Sequence, residues 1–80
     1  MIRAQIQLIT AKDVQDFVSK LNSDGTVDKY VIRDGSDHYC ANARSVLGVM
    51  YAAAEFNGCT YLVNETEDGK FPSFIDQYRV

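Results

Sequence analysis

Polar and apolar residues alternate over the first eight positions of the chain. Ile2, Ala4, Ile6 and Leu8 fall on one side and Arg3, Gln5 and Gln7 on the other, the period-two pattern of a strand with one buried face. Thr10 then offers a helix N-cap, with Asp13 three residues on as the partner of an approximate capping box. Val14, Phe17, Val18 and Leu21 recur at i, i+3, i+4 and i+7, which predicts an amphipathic helix. Asn22-Ser23-Asp24-Gly25 stops it.

The span Thr26 to Arg33 is rich in β-branched and aromatic residues and predicts a second strand. Asp34-Gly35 reads as a hairpin turn, and Ser36 to Asn42, containing His38, Tyr39 and Cys40, as the returning strand. Ser45 caps a helix running to about Phe56, which Asn57-Gly58 ends. Cys59 to Asn64 predicts a fourth strand. Glu65 to Lys70 is a charged turn around Asp68-Gly69. Pro72 suits a first helical position, and Phe71, Phe74, Ile75 and Tyr78 follow at helical spacing in a short last helix.

The helix after Ser45 departs from the usual pattern. From Val46 to Phe56 only Glu55 is charged. Packing on a sheet needs one apolar stripe, whereas Val46, Leu47, Val49, Met50, Ala53 and Ala54 span more than half the circumference, so part of this apolar surface stays exposed. Something must cover it: a partner chain, a second copy in a homodimer, or an enclosing fold, which the small size of the chain disfavours.

The order is βαββαβα in a single domain, residues 1–80. It predicts an α+β fold: a four-stranded, mostly antiparallel sheet with three helices on one face and the polar alternates of the first strand on the open face. At 80 residues the chain holds one domain. Its net charge of −3 and scattered lysines and arginines speak against nucleic acid. No apolar run is long enough to span a bilayer, and the start lacks the pattern of a secretory signal, so the expected location is cytoplasmic. Cys40 and Cys59 match no metal-ligand spacing, and the single histidine cannot complete a tetrahedral set with them. They read as reduced, packed thiols, and neither a metal nor a cofactor is expected.

The run Arg44-Ser45-Val46-Leu47-Gly48-Val49-Met50, followed by Phe56-Asn57-Gly58 and a strand, resembles the second helix of the HPr family, the histidine-containing phosphocarrier proteins of the bacterial sugar phosphotransferase system. The element order agrees with that family over the whole chain. The resemblance implies an HPr-like open-faced β-sandwich with strand order 1-4-2-3. It also implies that Ser45, the counterpart of a serine phosphorylated by an ATP-dependent kinase in many members, is a regulatory phosphorylation candidate. Arg44, Val46, Leu47, Met50 and Tyr51 become the candidate docking residues. The partners it implies are phosphotransferase components, the serine kinase or a transcription regulator.

The family's chemistry resides in the loop before the first helix, where a His-Ala-Arg-Pro motif carries the phosphoryl group. A helix N-terminus favours a phosphate there through free amides and a partial positive charge, and arginine adds charge-assisted hydrogen bonds. Here the corresponding Ile9-Thr10-Ala11-Lys12-Asp13-Val14 contains no histidine, arginine or proline, and Asp13 opposes an anion. The expectation is therefore a non-catalytic docking or regulatory protein without histidine phosphocarrier activity, and not an enzyme. The alternatives are an atypical carrier modified at Ser45 or His38, or a homodimerising structural module. For Ser45 the simpler role is that of a helix cap.

Overall fold

The computed structural model describes residues 1–25, 28–56 and 60–80. Strand β1 (Ile2–Ile6) leads into helix α1 (Ala11–Asn22). Strands β2 (Tyr30–Asp34) and β3 (Cys40–Asn42) form a hairpin, helix α2 (Val46–Glu55) follows, and strand β4 (Thr60–Asn64) precedes a 3-10 helix, Ser73–Tyr78. The sheet order is β1-β4-β2-β3, and every neighbouring pair is antiparallel. Leu62 sits at the centre, opposite Ala4 on one side and Ile32 on the other. The α+β class, the four-stranded sheet and the 1-4-2-3 order are those expected from the sequence.

The core lies between the sheet and the helices. Ile6, Ile32 and Leu62 come from the strands, Phe17 and Leu21 from α1, Val49 and Ala52 from α2, and Ile75 from the 3-10 helix, all fully buried. The periodicity of α1 is thus its core stripe: Val14, Phe17, Val18 and Leu21 are its buried residues. Phe17 meets Tyr78 edge-to-face at 5.4 Å between ring centroids, fixing the chain end against α1. Residues 78–80 then run beside β1. The Gln7 amide donates to the Tyr78 carbonyl at 2.8 Å and the Val80 amide to the Gln5 carbonyl at 3.1 Å, so this stretch of the sheet edge is covered.

Three boundaries differ from those read in the sequence. The third strand is only Cys40–Asn42, not Ser36–Asn42, because Asp34 draws the preceding residues into a loop. Its carboxylate accepts from the Tyr39 amide and the Ser36 hydroxyl, and the Ser36 bond above all holds the Asp34 carboxyl below its usual range. Asp37 closes this loop with φ +61°. The second strand begins at Tyr30 rather than Thr26; Asp28 and Lys29 are instead tied to the turn after β4, through Asn64 and Thr66 respectively. Pro72 stands at the N-cap position, just outside the last helix rather than at its first residue, and that helix is 3-10. Thr26 and Val27, the Asn57-Gly58 stop and Cys59 lie outside the described residues.

A buried polar residue anchors the connection to the last helix. Asn64 is fully buried. Its side-chain nitrogen donates to the Asp28 carboxylate at 2.9 Å and the Lys70 carbonyl at 3.0 Å, and its oxygen accepts the Thr66 amide at 3.0 Å. A methyl group at Gly69 would fall inside the Asn64 side chain. Glycine is required there by close approach.

Candidate functional site

Two surfaces follow from the sequence reading: the N-terminus of α1 and the outward side of α2. At the first, Thr10 is an extended N-cap whose hydroxyl accepts the Asp13 amide at 3.1 Å. The Asp13 carboxylate reaches back and accepts the Thr10 amide at 3.1 Å and the Ile9 amide at 3.0 Å. These bonds, that to Thr10 foremost, hold the Asp13 carboxyl below its usual range. A negative charge of the chain's own is therefore fixed at the start of α1, where it opposes an incoming anion. Binding there requires overcoming its repulsion.

His38 is exposed in the loop between β2 and β3. Its neighbour Asp37 is held by Arg3 at 3.0 Å, and Arg3 in turn lies 4.2 Å over the Tyr61 ring. Arg3 and Tyr61 are residues of the sheet face away from the core, so this pairing draws the hairpin loop toward the open face rather than toward α1.

On α2, Ser45 has an extended backbone and its hydroxyl accepts the Gly48 amide at 3.2 Å. It is half-buried and serves as the N-cap. Gly48 lets the helix lie close to β3: a β-carbon there would meet the Asn42 carbonyl at 3.0 Å. Past this point the helix carries two apolar stripes. Val49 and Ala52 turn inward and are fully buried. Val46, Leu47, Met50 and Tyr51 turn outward, 38%, 80%, 42% and 51% exposed. Leu47, Met50, Tyr51 and Ala54 stand at i, i+3, i+4 and i+7, the spacing that lines one helix face, so the outer stripe is as regular as a core stripe.

This stripe continues into a groove of about 230 Å³ between α2 and the start of α1, with Ile9, Ala11, Met50, Ala53 and Ala54 among its lining residues. Ile9 is itself largely exposed and forms part of the groove's wall. The sequence contained one signal of it: Leu8-Ile9 puts two apolar residues in succession where the alternation of β1 calls for a polar one.

Arg44 stands apart from the other four candidate docking residues. Its guanidinium donates to the Leu21 carbonyl at 2.9 Å and the Asp28 carbonyl at 3.1 Å, and lies 5.2 Å from the Tyr30 ring centroid. It clamps the end of α1 to the approach of β2, and cations near a helix C-terminus are favoured by the dipole. Its backbone carbonyl accepts from the Asn22 side chain, which doubles the tie.

Among the described residues, no group of three or more His, Cys, Asp or Glu side chains is arranged to hold a metal ion, and no helix is long and apolar enough to cross a membrane. Cys40 is an exposed free thiol on β3. No protein-family model, curated protein or solved structure matches the chain.

Proposed function

We propose that this chain is a cytoplasmic docking protein of HPr-like character. In this reading it takes part in sugar-transport or carbon-catabolite signalling by binding protein partners through the outer stripe of α2, and carries no phosphoryl group on histidine. The observation that carries the docking reading is Leu47: it is the most exposed large apolar residue of a helix whose opposite side, at Val49, is fully buried. Contiguous apolar surface on so small a domain marks an interaction site, and methionine at position 50 suits an adaptable one. The capping box of Asp13 supports the second half of the proposal, because it fixes a carboxylate at the helix start, where a phosphohistidine would be repelled.

The test is direct. Incubation with the general phosphotransferase enzyme and phosphoenolpyruvate is expected to leave no acid-labile phosphohistidine, while titration with the same enzyme, a serine kinase or a transcription regulator perturbs the signals of Leu47, Met50 and Tyr51. A stable phosphohistidine at His38 overturns the proposal.

A second reading is favoured by the place of Ser45 at the start of α2. A phosphate there gains from the helix dipole and from unpaired first-turn amides, at the cost of the bond from the Gly48 amide. Mass spectrometry after incubation with ATP and the serine kinase tests it.

A further inference from the structure

The outer stripe of α2 is uneven along its length. At its start Leu47 projects into solvent as a bulky knob. Two turns later, about 10 Å along the axis, Ala53 and Ala54 leave a hollow, the groove of about 230 Å³ walled by Ile9 and Met50. Knob and hollow belong to the same helix, and Met50 and Ala54 of the outer stripe line the hollow.

From this we infer that the face binds a second copy of the chain, the two α2 helices packing antiparallel about a two-fold axis that passes between Met50 and Tyr51. That axis places position 47 opposite 54 of the partner and position 50 opposite 51. Each Leu47 then enters the other copy's hollow beside Ile9, and the two Met50–Tyr51 contacts close the centre. An isologous contact needs a self-complementary patch, and large opposite small at 47 and 54 supplies it. Charge permits it as well. No residue from Val46 to Ala54 is charged, so the two α2 stripes bring no like charges together although the chain carries −3 overall. Glu55 falls in register with Val46, an apolar residue, and not with its own copy. A ten-residue helix presents a small interface, so the pairing is weak and reversible.

The inference rests on the docking reading in one respect: the dimer hides the surface proposed for partners, so self-association and partner binding compete. The experiment is sedimentation of the full chain from low to high micromolar concentration, with circular dichroism to verify that each variant is folded. The expected result is a concentration-dependent monomer–dimer equilibrium. Leu47→Asp abolishes it. Ala54→Leu, which fills the hollow, weakens it by about tenfold or more, whereas unspecific adhesion would strengthen with the added apolar surface. A monomer at every concentration overturns the inference, as does a dimer that Ala54→Leu leaves unchanged or tightens. Titration with the general phosphotransferase enzyme separates the two ideas. Binding without a dimer removes only the dimer; a dimer without binding removes only the docking reading.

Discussion

The carboxylate of Asp13 and the hydroxyl of Thr10 bond each other's backbone amides at the same distance, 3.1 Å. The reciprocal pair caps the N-terminus of α1, with the Ile9 amide as a further donor to the carboxylate.

Its pH dependence follows in sign. The Asp13 carboxyl is held below its ordinary value in the folded protein, so the charged form contributes stability above the unfolded-state value, and that contribution is lost as pH falls through the lower folded value. Urea melts of wild type and Asp13→Asn are expected to show the variant less stable at neutral pH. The gap narrows as pH drops through and below the usual carboxylate range. A gap constant with pH would contradict the assignment.

Arg44 is expected to act on stability rather than on binding. Arg44→Ala removes the guanidinium from the Leu21 and Asp28 carbonyls and uncovers Tyr30, a loss of about 1–3 kcal/mol. Arg44→Lys is expected to recover only part of it, since an ammonium cannot reproduce the planar fork or its stacking. Equilibrium denaturation measures both.

Leu47 and Val49 lie two positions apart and predict opposite results. Leu47→Asp is expected to change stability by about 0.5 kcal/mol or less, as an exposed substitution. Val49→Ala empties part of the core beneath it, at about 2 kcal/mol. Matched denaturation curves decide; a Leu47→Asp variant that unfolds would place that side chain in the core.

Gly69→Ala is expected to destabilise the chain by about 1–3 kcal/mol, because the added methyl forces Asn64 out of its network. The damage should centre on the turn after β4. Hydrogen exchange at the Thr66 amide, which the Asn64 side chain accepts, reports it locally.

How much of this was legible from the residues depends on the range of the interaction. The alternation of β1 and the spacing of Val14, Phe17, Val18 and Leu21 are local signals, and both elements formed as read. The apolar sleeve of α2 announced a second stripe, because a helix with Val49 and Ala52 inward must send Leu47 and Met50 outward. The hairpin differs from its local signal for a physical reason: Asp34-Gly35 is a good two-residue turn by backbone preference, but the Asp34 side chain collects Ser36 and Tyr39 and enlarges the loop. Arg44 was beyond local reasoning altogether. The carbonyls it serves, those of Leu21 and Asp28, lie 23 and 16 residues away in sequence, and only the packed fold brings them together. The groove beside Ile9 is legible in hindsight from one broken alternation, but its alanine floor comes from a different helix.

The course of residues 78–80 beside β1 makes the two ends of the chain spatial neighbours. From Gln5, where Val80 is bonded, back to Met1 is about 13 Å of extended chain, a gap that about six flexible Gly/Ser residues bridge. Joined in that way and reopened between Ser36 and Asp37, residues 1–80 form a circular permutant in which β1 follows the 3-10 helix through that linker, and a label attached at the new ends sits on the hairpin loop that Arg3 holds at Asp37.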